Sequence, residues 1–382
     1  MKKWLIPLIA LVGVLAAITL VVAPILKATP RNIPIALLNL DQTPSVQGGT
    51  QNLGETAMQV FTSTGTPTAG SSGSQPVFNF PVKWTICNDQ ACIDSALSSN
   101  SVYATIVIPA DFTSTLTAAQ SDSTVTPSQI AVTINQGKNP TVAAMVAQMM
   151  AAASQQFQLT FTSSYVNQIP TDEGNGMVAT LVAVLMMFAS LITTIVLTTV
   201  VRVDYTRKAG RAKAILQQVG MAAGLAAVTA LVAPPILGGL TGAKLPYWNL
   251  VVLIFLGFFA FATIVLFSVD WLGMRGLVIP ALVLILGLPV LAVPYELLMS
   301  FWQHAVYPWV PQRFMVEGSR GVLFLGQHAG NSSTLWLAAT AIVGLAILFA
   351  SLARPVVQVD AVQPVRSNKS GNPALNPTKR RH

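Results

Sequence analysis

Charge is what this chain has least of: Asp, Glu, Lys and Arg together make up 9% of its 382 residues, where a soluble protein carries about 25%. With 53% hydrophobic residues, that scarcity excludes an ordinary soluble domain and makes an integral membrane protein the expectation. Histidine is scarce as well, and His304, His328 and His382 stand far apart. The sequence holds no G-x-x-x-x-G-K-[ST], no H-E-x-x-H and no G-x-S-x-G, so an ATP-cradling loop, a zincin helix and a hydrolase elbow are not expected. The chain is therefore read as no enzyme, with no cofactor or metal, and any energy it uses must come from another polypeptide. Cysteine occurs twice, as Cys87 and Cys92. Two thiols are too few for a zinc site, and a disulfide or two free thiols are both open.

What is abundant is uninterrupted apolar sequence. Crossing a bilayer takes about 20 residues of helix, and six runs qualify: Trp4 to Leu26, Met177 to Val201, Ala214 to Leu240, Trp248 to Val269, Leu277 to Leu297 and Thr334 to Ala353. Six transmembrane helices are expected. Ionisable residues inside spans mark proton and ion paths, but Asp270 and Glu296 fall at span ends and mid-span positions carry none, which disfavours a proton-coupled carrier.

Orientation follows from Arg202 to Lys213, RVDYTRKAGRAK, where five basic residues (Arg202, Arg207, Lys208, Arg211, Lys213) face one acid, Asp204. A short basic connection between two spans belongs on the cytoplasmic side. Six crossings then put both termini inside, together with 14 of the 21 Lys and Arg. Insertion thus accounts for the formal charge of +8, and a nucleic-acid partner is not expected.

Lys2 and Lys3 followed by a long apolar run read as an uncleaved anchor, residues 1–26. Residues 27–176 change to Ser, Thr, Gln and Asn with short apolar strands at Ile33 to Leu40, Val82 to Ile86, Val102 to Ile108 and Ile130 to Ile134. Helices are expected at Asn52 to Phe61, Asp89 to Leu97, Ala110 to Ala119 and, opened by a proline, Pro140 to Gln168. The alternation predicts a small extracytoplasmic α/β domain between the first and second spans. The Ala- and Met-rich last helix suits either a stalk or a core element. Thr62 to Gln75 reads as an exposed loop, residues 177–353 as a five-helix membrane domain and residues 354–382 as a disordered basic cytoplasmic tail. Between Met299 and Ser333 the density of aromatic residues (Trp302, Tyr307, Trp309, Phe314, Phe324) predicts an interfacial or partly re-entrant segment.

Three phrases, IPIALLNLDQTP, VYATIVIPADFTSTL and INQGKNPTVAAMV, resemble the outer domain of the phage infection protein family of bacterial membrane proteins. The matching residues are Asn39 and Asp41, then Ala104, Ile106, Ile108, Pro109 and Phe112. The second half is similar to the membrane domain of ABC type-2 exporter permeases, through its five spans, its basic inner connection and VPQRFMVEGSRGVLF with Pro311, Phe314, Glu317 and Arg320. The resemblance implies a permease subunit in the bilayer that pairs as a homodimer and works with a separate ATP-binding subunit. It also implies docking of that subunit at Asp204, Tyr205, Arg207, Lys208 and Arg211; satisfying insertion alone is the competing account of the same charges. An uncharged interior favours an apolar or amphipathic cargo such as a lipid, glycolipid or peptide. The alternative function is a non-transporting envelope protein, a secretion or assembly factor or a receptor, acting through the outer domain.

Overall fold

A computed structural model describes residues 5–43, 52–62, 81–157, 159–169, 176–203, 207–242 and 244–355. Asp204, Tyr205, the Thr62 to Gln75 loop beyond Thr62 and the tail after residue 355 lie outside the described residues.

After helix α1 (Leu5–Leu26) comes a five-stranded sheet: β1 (Ile33–Asn39), β2 (Val82–Cys87), β3 (Ala104–Ile108), β4 (Ile130–Asn135) and β5 (Phe161–Val166), in the order β2-β1-β3-β4-β5. β1 pairs in parallel with β2 and β3, β3 and β4 are antiparallel, and β4 and β5 are parallel. The unbroken apolar run of β1 reflects cover on both faces. With side chains alternating across the pleat, Ile33, Ile35 and Leu37 enter one core while Ala36 and Leu38 enter another with Cys87, Ile93 and Val102. The helices between strands are α2 (Leu53–Thr62), α3 (Gln90–Ser98), α4 (Phe112–Ser121) and α5 (Pro140–Phe157). Asp89 caps α3 by accepting from the Cys92 amide at 2.8 Å, and Cys87 and Cys92 are joined as a disulfide that ties β2 to the first turn of α3.

The long helix expected over Pro140 to Gln168 is corrected here: α5 stops at Phe157 and a fifth strand follows. β5 is hydroxyl-rich (FTSSYV) and mostly exposed, as suits a sheet edge, so its apolar periodicity is too weak to separate it from the helix before it. α5 itself is a core element, with Val142, Val146, Met149 and Ala153 buried along one face.

Four helical runs are long and apolar enough to cross a membrane: Met177–Val200, Ala209–Thr241, Tyr247–Ala292 and Ser332–Ala353. The protein is membrane-embedded. The count of four differs from the expected six at two places. α1 contributes only the shorter apolar stretch Leu11–Leu26 to the fully described residues. The expected fourth and fifth spans, α8 (Tyr247–Leu272) and α9 (Val278–Ala292), run into one another through a 3₁₀ stretch, Gly273–Leu277. Gly273 has φ +63°, where only glycine is comfortable, and Gly276 lies so close to the Ser268 carbonyl that a Cβ has no room. α9 ends at Ala292, earlier than expected, because Pro294 holds Val293 extended.

α8 is buried nearly all round, from Leu250 to Leu266, which is the composition of a central helix. It packs against α6 (Met177–Val200), α7 (Lys208–Thr241) and α11 (Ser332–Ala350). Small residues allow close approach: Ala222, Ala226, Ala230 and Ala233 line the buried side of α7, Gly257 meets Met186, and Gly344 meets Thr263. A shorter helix, α10 (Pro311–Phe324), lies among α6, α8, α9 and α11.

The α/β domain and the helical bundle share a core. Val290, Val293, Leu297, Trp302, Val306 and Val310 join the cluster that includes β1, β3, β4 and α5. The connection after α1 adds backbone bonds from Thr29 N to Leu297 O at 3.2 Å and from Arg31 N to Glu296 O at 2.8 Å.

Candidate functional site: a polar cavity where the sheet domain meets the bundle

At one end of the bundle, the basic stretch read as a connection is in large part helix, since α7 starts at Lys208. Arg207 and Lys213 are exposed. Arg211 is only 2% exposed. Its Nη1 donates to the carbonyls of Ser351 at 2.9 Å and Arg354 at 3.2 Å, at the C-terminal end of α11. A helix end leaves carbonyls without partners, and a cation there also meets the negative end of the helix dipole. Arg354 in turn donates to the Trp271 carbonyl at 3.2 Å at the end of α8 and lies 4.8 Å over the Trp271 ring. Gln218 donates to the Val201 carbonyl at 2.6 Å at the end of α6. Arg211, expected in the docking set, is thus buried with its guanidinium on these carbonyls.

At the opposite end of α11, the structure brings Glu317 and Arg320 of the expected outer segment to a cavity of about 530 Å³. The other two expected residues go elsewhere: Pro311 is buried at the first turn of α10, and Phe314 stacks on Trp336 with ring centroids 5.7 Å apart. The sheet domain contributes Tyr103 and Lys138, the segment after α9 contributes Glu296 and Tyr307, and the start of α11 contributes Ser332 and Ser333. Each carboxylate in the cavity has a tyrosine. Tyr103 donates to Glu296 Oε2 at 2.9 Å and Tyr307 donates to Glu317 Oε1. Arg313 pairs with Glu317 through Nε at 3.1 Å and lies 4.4 Å over the Tyr307 ring.

Burial sets the electrostatics. It pushes the Tyr103 hydroxyl well above its ordinary pKa, and the Glu296 charge adds to the shift; Tyr307 is raised the same way, first by burial and then by Glu317. Both phenols thus stay protonated donors at neutral pH. Burial pulls Lys138 and Arg320 down, against the opposing pull of the nearby acids.

No family model, no curated protein and no solved structure matches the chain.

Lys138 donates to the Ser101 carbonyl at 2.7 Å and sits 4.7 Å over the Tyr103 ring, with no carboxylate in ion-pair range among the described residues. Arg320 Nε is buried with no hydrogen-bond partner among the described residues. Among the described residues no group of three metal-ligating side chains converges. The arrangement can bind and orient a polar group. Glu317 and Arg320 stand out in the sequence, Tyr103 and Lys138 do not, and Glu296 reads there as an interface residue. One signal was available. Glu296 is the lone charged residue between Arg275 and Arg313, and Lys138 the lone basic residue between Lys83 and Arg202.

Proposed function

We propose that the chain is the permease subunit of an exporter that moves an apolar or amphipathic cargo, a lipid, glycolipid or peptide, with the help of a separate ATPase. The observation that carries this reading is the junction cavity, a polar chamber built jointly by the sheet domain and helices whose mid-span positions carry no charge. A chamber of 530 Å³ is within the range of about 300–1,000 Å³ usual for ligand sites, and a charged mouth over an apolar bundle suits a molecule with a head and a tail.

The finer topology belongs to the same proposal. Six crossings, α1, α6, α7, α8, α9 and α11, leave both termini and the Arg202 to Lys213 stretch in the cytoplasm and the α/β domain outside the plasma membrane. The 46-residue run Tyr247–Ala292 is about 69 Å long at 1.5 Å per residue, more than twice the hydrocarbon thickness, so the fold-back at Gly273 supports two crossings rather than one. The Cys87–Cys92 disulfide supports an oxidising side for the sheet domain. Docking of the ATPase then falls to Asp204, Tyr205, Arg207 and Lys208, without Arg211. Exposed Leu216, Val228, Leu231, Val232 and Ile236 along α7 give an apolar face for lipid or for a second copy in a homodimer. The resemblance to phage infection proteins and type-2 exporter permeases is part of this proposal.

The test is purification of the full chain in mild detergent with identification of bound partners, followed by flux measurements in vesicles. An ATP-binding subunit should co-purify and be lost when Tyr205, Arg207 and Lys208 are replaced together. Normal insertion with no such partner, and no ATP-dependent flux, would instead favour the envelope-factor or receptor reading.

A further inference from the structure

The junction cavity holds more positive charge than its carboxylates use. Three cations, Lys138, Arg313 and Arg320, line it with two acids, Glu296 and Glu317. Glu317 is committed to Arg313 and Tyr307, and Glu296 accepts from Tyr103. That leaves Lys138 and Arg320 without a carboxylate within ion-pair distance among the described residues. Arg320 Nε is, in addition, buried with no hydrogen-bond partner among the described residues. Leaving the buried Nε of a guanidinium without an acceptor is costly, and it stays in place only where something else satisfies it. A guanidinium presents a planar fork that matches the oxygens of a phosphate or carboxylate. The first residues of α11, Ser332 and Ser333, face the same space, and the start of a 19-residue helix adds partial positive charge there.

We infer that the cavity is an oxyanion site in which Arg320 forks onto a phosphate-type group and Lys138 supplies a second charge from the sheet domain. The two phenols spend their protons on the carboxylates, Tyr103 on Glu296 and Tyr307 on Glu317. Tyr295 and Leu325 at the lining give an apolar flank along which an acyl chain can leave. As a cargo headgroup site the inference rests on the transport reading; as an anion site it does not, since binding needs neither ATP nor flux.

The experiment titrates the detergent-solubilised full chain, without any ATPase, with inorganic phosphate, with a short-chain phosphatidic acid and with the matching phosphatidylcholine, reading heat of binding and thermal shift. Saturable binding of phosphate and phosphatidic acid is expected, with phosphatidylcholine at least tenfold weaker. Tighter binding of phosphatidic acid than of phosphate marks a lipid headgroup as the source, and equal binding marks a free anion. Arg320→Gln should weaken binding at least tenfold and Arg320→Lys less so, since it keeps the charge and loses the fork. Lys138→Met, on the other domain, should weaken binding severalfold and decides the matter if Arg320→Gln does not fold. No saturable binding of either anion, or binding unchanged in the folded variants, overturns the inference, while intact binding with no ATP-dependent flux overturns only the transport reading.

Discussion

Arg211 Nη1 donates to the Ser351 carbonyl at 2.9 Å across 140 positions of sequence. The bond joins the first turns of α7 to the end of the last long helix, and with Arg354 on Trp271 and Gln218 on Val201 it finishes three helix ends with side chains. A charge that sequence reads as a topology signal is here a structural cap.

Arg211→Ala should therefore destabilise the protein, while Arg207→Ala should not. Losing a buried charged donor to two carbonyls costs about 2–3 kcal/mol, whereas exposed Arg207 is worth less than about 0.5 kcal/mol. Thermal unfolding of both variants in the same detergent checks this; equal shifts would refute the buried role.

Tyr103→Phe removes the hydroxyl that reaches Glu296 at 2.9 Å and leaves a buried carboxylate short of a donor. The expected cost is about 1–3 kcal/mol, localised at the junction. Hydrogen exchange should rise in the Thr29 and Arg31 amides that bond the Glu296 to Leu297 turn and stay unchanged in the bundle. A uniform rise would assign Tyr103 to global stability.

Asp41 gives the acid limb of the stability curve. Burial alone would raise its pKa, but donation from Thr113 and Thr43 prevails and lowers it below the ordinary 3.8. Asp41 Oδ1 accepts from Thr43 N at 3.1 Å and Oδ2 from Thr113 N at 3.1 Å. A depressed carboxylate binds more protons unfolded than folded, so its contribution is fully present above pH 3.8 and fades as pH falls through the folded value. Asp41→Asn should lower stability at pH 7 by about 2–3 kcal/mol and flatten the loss of melting temperature below pH 4.

Two glycines separate fold from flexibility. Gly276→Ala drives a Cβ into the Ser268 backbone and should cost at least about 1–3 kcal/mol. Gly220, in α7 with open space around it, should accept Ala with no loss of melting temperature. Matching losses for the two would mean that α9 does not fold back on α8.

Reducing Cys87–Cys92 opens a small loop, five positions apart, and loop-closure entropy of that size amounts to about 2 kcal/mol. A reductant should lower the melting temperature of the wild type and leave Cys87→Ala unaffected.

Local chemistry was legible in the sequence wherever one element carries its own signal. Ile33 to Leu40, Val82 to Ile86 and Ile130 to Ile134 are strands within a residue or two because β-branched runs stop at Pro, Asn or Asp. β5 escaped notice since an exposed edge strand of Thr and Ser has no apolar face to show, and α9 ended early because Pro294 outweighs a continuing apolar composition.

Composition alone determined that this chain lives in a membrane and carries a polar α/β insert, since burying or solvating a segment depends on its own side chains summed over about 20 residues. Only the tertiary structure decided that Arg211 is spent on Ser351, and that Tyr103 and Lys138 meet Glu296, Glu317 and Arg320 around one cavity. Those partners lie more than a hundred residues apart, and no periodicity links them. They meet because the core running from β1 through Val290 and Trp302 seats the sheet on the bundle.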